Sequence, residues 1–285
     1  MTPLVEQVRD ARTLLFVPGN RPERFAKAHA SSPGLVVLDL EDAVPAADKA
    51  DARRQVTGWL AAGHTGAVRI NPPGTPWHDE DVRAVAAYGC AVMVPKAEDA
   101  GALRDLAGRL ACLIALVETA RGVIEAPRIA SAPGVERLAF GSFDLAAQLG
   151  VAPDDRGALA SSRGALVLAS AAAGIAPPVD GVTGDVRDPE PLRDDVRHAR
   201  RLGFTGKLCV HPGQVPVAEE ALRPADEEVR WARSVVEAGG AGGVVVLDGR
   251  MVDKPVVDRA RRILRTSRPR TSQDRVESSH ERTDR

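Results

Sequence analysis

Aromatic residues make up only 3% of the 285-residue chain, as five Phe, three Trp and one Tyr. Aromatic stacking on successive nucleic-acid bases is therefore not available at scale, and Ala, Val and Leu must fill the core. Net charge is also lacking, since 38 Lys and Arg against 39 Asp and Glu leave a formal charge of -1. With no global field to draw the chain onto nucleic acid or an anionic membrane surface, neither is an expected partner. Cysteine is limited to Cys90, Cys112 and Cys209, far apart and each in or beside an apolar stretch. Their odd number and the lack of Cys-x-x-Cys argue against a disulfide framework or a zinc site and for buried, reduced thiols. No apolar run approaches the ~18 residues of a membrane span, and the segment from Met1 to Arg12 has no apolar signal core. A soluble, cytoplasmic protein is expected.

Beyond Arg12 the chain alternates short apolar runs with longer amphipathic stretches, the pattern of repeated βα units around a parallel sheet. There are eight such runs: Thr13–Val17, Gly34–Leu40, Ala67–Ile70, Ala91–Val94, Leu113–Val117, Arg137–Phe140, Pro178–Val182 and Lys207–Val210. Eight strands close a (β/α)8 barrel. Several runs stop at proline, as at Pro18-Gly19, Asn71-Pro72, Val94-Pro95 and His211-Pro212, which marks the strand ends. The barrel is expected to occupy residues 1–222 as the catalytic domain. Residues 223–265, with a helix over Asp226–Glu237, a glycine-rich linker at Gly239–Gly243, an apolar run Val244–Leu247 and a last helix to about Leu264, read as a hinged helical extension or lid. The tail, residues 266–285, has Val276 as its one large apolar residue and is expected to be unstructured. Gly239–Gly243 lacks a phosphate-loop ending, and Arg259–Arg262 reads as a solvated helix face.

Ligands of such a barrel bind at the C-terminal edge of its strands. Past the eight runs stand Asn20 and Arg21, Glu41 and Asp42, Arg69, Lys96, Glu118, Ser142 with Asp144, Asp180, and His211. Glu41, Arg69, Lys96 and Glu118 lie within or directly on apolar runs, where unpaired charge is costly. Glu118 and Asp144, at the ends of neighbouring strands, suit a hard cation such as Mg²⁺; the alternatives are an ion pair of Glu118 with Arg121 and a helix N-cap for Asp144. Arg69 inside a strand requires either an anionic ligand or an ion pair with Glu41 or Asp42. Glu41 and Asp42 suit the orienting of metal-bound waters, Lys96 the neutralising of that acidic cluster, and His211 an orienting hydrogen bond.

The segments Arg12-Thr-Leu-Leu-Phe-Val-Pro-Gly-Asn-Arg-Pro-Glu-Arg24, Asp39-Leu-Glu-Asp-Ala-Val44, Val68-Arg-Ile-Asn71, Val94-Pro-Lys96, Glu118-Thr-Ala-Arg-Gly122, Phe140-Gly-Ser-Phe-Asp-Leu145 and Gly206-Lys-Leu-Cys-Val-His-Pro212 together resemble the HpcH/HpaI aldolase and citrate lyase family. The branch they look most like is the citrate lyase β-subunit-like CoA ester lyases. The resemblance runs from about Arg12 to Leu264 in the family's order. It implies a (β/α)8 barrel, Mg²⁺ with Mn²⁺ as a substitute, and making or breaking a carbon–carbon bond between a 2-oxo acid and the acyl part of a CoA thioester. It makes Glu118 and Asp144 the metal ligands and Arg69 the group that holds the oxo acid, with Glu41 and Asp42 behind them. By the same resemblance Arg21, Arg24 and Lys27 contact substrate or CoA, and Asp253 is the acid/base of a lid that closes over a neighbouring subunit, in a trimer or hexamer. Gln148 and Gly184-Asp185 depart from the family's usual residues, which leaves substrate identity open. A malyl-CoA-type thioesterase, and a citrate lyase β subunit acting only with an acyl carrier partner, are the alternatives.

Overall fold

The computed structural model describes residues 2–239, 245–247 and 249–267. The chain divides into two compact units, one ending at Leu222 and the other beginning at Arg223. In the first, the elements in chain order are α1 (Pro3–Asp10), β1 (Thr13–Pro18), α2 (Phe25–Ala30), β2 (Leu35–Asp39), α3 (Lys49–Ala61), β3 (Ala67–Arg69), α4 (His78–Ala86), β4 (Ala91–Val94), α5 (Ala100–Ala107), β5 (Cys112–Val117), α6 (Ala120–Ala130), β6 (Val135–Phe140), α7 (Ser142–Leu149), α8 (Ala160–Ala173), β7 (Ala176–Asp180), α9 (Pro189–Leu202), β8 (Gly206–Cys209) and α10 (Gln214–Ala221). The eight strands pair in parallel in sequence order, and β8 returns to β1, giving a closed (β/α)8 barrel.

Every residue of β2, β4, β5 and β8 is buried, because helices cover the outer face while side chains fill the inner one. Strands buried on both faces read as continuous apolar runs rather than alternating ones. Alternate residues nevertheless part company: Leu14, Val37, Met93 and Ile114 pack inside the barrel, while Leu15, Val36, Val92 and Leu113 pack against the helices. Ala, Val and Leu dominate this core, with Phe25, Phe140 and Phe204 as its buried aromatics. All three cysteines are free and buried, and burial pushes the thiols up, Cys90 to about 11 and Cys112 and Cys209 to about 12. They are inert at neutral pH.

Beyond shifts of one or two residues at other strand ends, such as β6 beginning at Val135 rather than Arg137, two features of the barrel differ from the sequence expectation. The seventh strand runs over Ala176–Asp180 rather than Pro178–Val182. Pro177 and Pro178 have no N–H to give a ladder, and the pairing of β7 with β6 is irregular, with Ala176 opposite Arg137 and Val179 opposite Ala139. Strand pairing therefore passes through two prolines that the sequence places at a boundary. The second is α1, a helix in a segment read only as lacking a signal core. Its Val8 packs in the barrel-interior cluster. Arg137, the first inward residue of β6 and 1% exposed, donates Nη1 to the Val8 and Ala11 carbonyls, Nε to Pro177 O at 2.9 Å and Nη2 to Thr205 Oγ1 at 2.9 Å. The guanidinium thus ties the end of α1 to the N-terminal ends of the strands, opposite the edge where ligands bind.

The second unit contains α11 (Asp226–Gly239), β9 (Val245–Leu247), β10 (Arg250–Val252) and α12 (Lys254–Ser267). β9 and β10 pair antiparallel, so the apolar run near residue 245 is half of a hairpin. Ala232 and Val235 of α11 bury against Val252, Val257 and Ala260. Arg259, Arg261 and Arg262 are exposed, as expected, with the Arg259 guanidinium 4.8 Å from the Trp231 ring centre. α12 runs to Ser267, two residues into the segment expected to be unstructured. The rest of that segment, and the glycine linker beyond Gly239, lie outside the described residues. No helix among the described residues is long and apolar enough to cross a membrane.

Candidate functional site

Register places the site. Asp39 and Arg69 are paired residues at the ends of β2 and β3, both on the inward-facing alternation. The Arg69 guanidinium donates Nε to Asp39 Oδ1 and Nη2 to Asp39 Oδ2, each at 2.7 Å, a bidentate fork. Nη1 lies 2.9 Å from Glu41 Oε2 and 3.8 Å from Asp42 Oδ2, and the guanidinium carbon sits 4.7 Å from the Phe16 ring centre. Burial pulls this cation down, but hydrogen bonds and charge from Asp39, then Glu41 and Asp42, outweigh it and hold Arg69 above its ordinary value. Arg69 therefore has its ion pair first with Asp39, a residue the sequence reading did not single out. Glu41 joins it, with a side chain 4% exposed, whereas Asp42 is 58% exposed and stands at the edge of the cluster.

Lys96 follows β4 with φ +48°, a left-handed conformation that costs a non-glycine residue about 1 kcal/mol. This bend aims two groups at once: the backbone N–H donates to Glu118 Oε1 at 2.8 Å, and Nζ donates to Glu41 Oε1 at 3.0 Å. The neutralising role expected for Lys96 is thus met through Glu41.

Glu118 stands one residue past β5 and is 4% exposed. Oε1 takes the Lys96 N–H, and Oε2 has no hydrogen bond among the described residues. Burial, then the Glu41 charge, then that of Asp144 push its carboxyl up to about 8, against the Lys96 N–H and Arg69. The close approach depends on Gly141, where a Cβ would meet the Glu118 Cβ and lie 2.6 Å from Oε2. Asp144 is in the first turn of α7, whose N-cap is Gly141, so it is not the cap that was one alternative for it. The alternative partner of Glu118, Arg121, instead faces Glu125 at 3.5 Å. The Glu118–Gly122 motif also has local work: Thr119 Oγ1 caps α6 by accepting from Gly122 N at 3.0 Å, and Gln148 Oε1 accepts from Ala120 N at 2.7 Å. Gly122 permits contact with the Ala97 carbonyl, which a Cβ would meet at 2.5 Å.

Three further residues shape this mouth without having been expected. Lys49, 6% exposed, donates Nζ to Leu40 O, Glu41 O and Asn71 Oδ1 at 2.7, 2.8 and 2.7 Å. Asn71 in turn donates its N and Nδ2 to Asp81 Oδ2 at 2.9 and 2.6 Å. Asp39, Lys49 and Asn71 were legible only as polar residues in or beside apolar stretches. The alternation that pairs Asp39 with Arg69 is the signal that finds the first of them.

Other expected residues of the first unit make no hydrogen bond or ion pair with this cluster. Arg21, Arg24 and Lys27 are exposed on the segment after β1, and Arg24 faces Glu23 at 3.8 Å. His211 is exposed after β8, and its Nδ1 accepts from Gly213 N at 3.1 Å, a hydrogen bond within its own turn. Asp180, expected at the rim, is 1% exposed and closed off by Arg163 Nε at 2.9 Å and Lys207 Nζ at 3.2 Å. It adjoins the inward-facing Val179 and so points outward between barrel and helices, which corrects its assignment to the mouth. Asp253, in the second unit, accepts from Val256 N at 3.2 Å and begins α12.

The donor set at the mouth fits a hard divalent cation. Asp39, Glu41, Asp42, Glu118 and Asp144 face Arg69, Lys96 and Lys49, a formal surplus of two negative charges, which the protein alone relieves by favouring a proton on Glu118 and raising Glu41. No group of three His, Cys, Asp or Glu residues able to hold a metal occurs among the described residues. Mg²⁺ does not need one, since it is bound through one or two carboxylates with water and substrate oxygens completing its octahedron.

A closed parallel barrel that gathers carboxylates around a buried arginine at the mouth of its strands has the architecture of a (β/α)8-barrel enzyme. The model of the HpcH/HpaI aldolase/citrate lyase family matches residues 12–212, and the chain belongs to that family. The citrate lyase subunit beta-like protein of Mycobacterium tuberculosis is 40% identical over 268 residues, covering 91% of this chain and 96% of the relative. The (3S)-malyl-CoA thioesterase of Cereibacter sphaeroides is 33% identical over 274 residues, covering 92% and 96%. Among solved structures, CitE of M. tuberculosis in complex with magnesium, acetoacetate and coenzyme A aligns with TM-score 0.81 at 39% identity, covering 91% of this chain and 99% of that one.

Proposed function

We propose that this chain is a Mg²⁺-dependent carbon–carbon lyase acting on a 3-hydroxyacyl-CoA such as malyl-, citramalyl- or citryl-CoA, yielding a 2-oxo acid and an acyl-CoA, or running the reverse condensation. The observation that carries the reading is the convergence of Glu118, Asp144 and Arg69 on one barrel mouth, with electrostatic strain on Glu118 that a cation would relieve. The M. tuberculosis relative, with magnesium, acetoacetate and coenzyme A bound, supports the ligand classes.

In this reading Glu118 and Asp144 hold Mg²⁺, with Mn²⁺ as a substitute, and Glu41 and Asp42 stand behind them. The metal, when bound, polarises the oxo-acid oxygens and lowers the pKa of the substrate hydroxyl. Arg69 binds the oxo acid. Its fixed guanidinium, already oriented by Asp39, stabilises the oxygen as negative charge develops, an effect typically worth ~3–4 kcal/mol per donor. In the condensing direction Asp253 takes a proton from the α-carbon of the acyl thioester. The enolate carbon then bonds to the carbonyl carbon of the oxo acid, and the carbonyl electron pair rests as an oxyanion beside Arg69 until it is protonated to the hydroxyl. Cleavage is the reverse, with Asp253 returning the proton to the α-carbon. Arg21, Arg24 and Lys27 supply positive charge for the CoA phosphates. Residues 223–265 serve as a lid that brings Asp253 to the site of a neighbouring subunit in a trimer or hexamer.

The test is a coupled assay of the purified protein with Mg²⁺ against malyl-, citramalyl- and citryl-CoA, recording oxo acid and free thiol separately, with EDTA as control. Oxo acid without thiol is the expected result. Thiol alone would replace the lyase reading with thioester hydrolysis, the activity named for the C. sphaeroides relative. Silence on all three thioesters, relieved by an acyl carrier protein, would make the chain a citrate lyase β subunit.

A further inference from the structure

β2 ends at Asp39, so the next two carbonyls, those of Leu40 and Glu41, turn into the protein with no strand to accept from. Lys49, the first residue of α3, meets both and spends its third N–H on Asn71 Oδ1. An ammonium has three donors, and here all three have acceptors within 2.8 Å. The ammonium's own place is fixed from behind: Asn71 is held twice by Asp81, and Asp81 Oδ1 accepts from Arg53 Nε at 2.7 Å, one turn along the same helix as Lys49. The β2–α3 connection is thereby pinned to α3 and α4. Its side-chain product is Glu41, whose two oxygens face Lys96 and Arg69.

We propose that Lys49 is a positioning residue for the reaction, setting through the Leu40 and Glu41 carbonyls the direction in which Glu41 meets Arg69 and Lys96. Its kinetic consequence rests on the lyase reading above, and its structural consequence does not. Lys49 donates to no carboxylate at the mouth: its charge reaches Asp39 and Glu41 through space, while its hydrogen bonds act through the backbone it holds. The loop reports on it directly, because Glu41 N and Ala43 N donate to Asp39 at 2.9 and 3.1 Å and Val44 N donates to Glu41 O at 2.9 Å.

The experiment compares the full chain with Lys49→Met, Glu41→Gln and the double variant. One readout is hydrogen–deuterium exchange of the amides of residues 41–44 without metal, and the other is kcat and KM on the thioester the wild type cleaves. Lys49→Met is expected to speed exchange of the loop about 10-fold and to lower kcat about 30-fold with KM changed less than about 3-fold. The double variant should fall within about 3-fold of Glu41→Gln, since both changes remove one arrangement. Unchanged exchange, or a double variant whose loss is the product of the two single losses, would overturn the proposal. If the wild type turns over no thioester, the lyase reading fails by itself and the exchange of the loop decides the positioning role. If Lys49→Met does not fold, Lys49→Gln, which retains one donor pair, takes its place under the same two criteria.

Discussion

Glu118 joins three demands that pull against one another: it is buried, it faces other carboxylates, and in the proposed chemistry it must be ionised. Its carboxyl lies near 8 instead of near 4.5, raised first by burial, then by Glu41 and Asp144. In the unfolded chain it ionises as the pH passes its ordinary value, while the folded protein keeps the proton until about pH 8. Over that interval the folded state binds more protons, so the metal-free protein loses stability as pH rises, and Glu41 shifts in the same direction. Thermal unfolding in EDTA should show a Tm that falls from pH 5 to pH 8, with the slope reduced in Glu118→Gln. Mg²⁺ should raise Tm more at pH 8 than at pH 5, because it binds the carboxylate and stabilises the folded state by mass action. A Tm independent of pH, with no effect of Mg²⁺, would refute the assignment of Glu118. Turnover follows the same logic: Glu118→Gln and Asp144→Asn should each lower it by at least about 100-fold with folding retained, as expected for loss of a metal ligand. Full activity in both would remove the metal from these residues.

At the scale of elements, the C-terminal ends of the strands carry chemistry and the N-terminal ends carry stability. Arg137 belongs to the second kind. Replacing it with Met would leave the carbonyls of Val8, Ala11 and Pro177 and the hydroxyl of Thr205 without their shared donor. The expected loss in urea unfolding is about 3–5 kcal/mol, while KM should stay within about 2-fold, because the change lies at the far end of the strands from Glu118. A large KM effect would show that α1 shapes the mouth after all. The same division explains which elements were legible in the sequence. Strands buried on both faces announce themselves as apolar runs, and prolines at the end of β1 and beyond β3, β4 and β8 mark where they end. β7 misled because Pro177 and Pro178 look like a boundary, yet a barrel strand can run through them when its neighbours bypass the missing N–H groups. α1 was missed because its mixed charges hide a short apolar face that has meaning only against the closed barrel bottom. At the mouth, Glu41, Arg69, Lys96 and Glu118 stood out as charges set on apolar runs. Asp39 and Lys49 did not, since what makes them important is the register that sets Asp39 beside Arg69 and the turn that delivers two carbonyls to one ammonium. Neither is a property of local composition.

The whole molecule raises the question of which chain completes which site. Asp253 has a structural duty that any catalytic duty must coexist with: its carboxylate accepts from Val256 N and starts α12. Asn caps a helix about as well as Asp, whereas Ala costs roughly 1 kcal/mol there. Asp253→Asn should therefore unfold like the wild type yet lose turnover, because the amide cannot accept the α-proton, and full activity in this variant would end the acid/base assignment. The proposed action in a neighbouring subunit adds a sharper expectation. Glu118→Gln and Asp253→Asn should each be inactive alone, but in mixed trimers some sites would combine an intact Glu118 from one chain with an intact Asp253 from the next. Random assortment of equal amounts puts both intact residues at about one site in four, so co-expressed variants should regain roughly a quarter of wild-type turnover if the assembly is cyclic. A lid that served its own subunit would regain none, since every chain in the mixture lacks one of the two residues. Turnover of the mixture, read beside the mass of the assembly in solution, thus separates a shared site from a self-contained one.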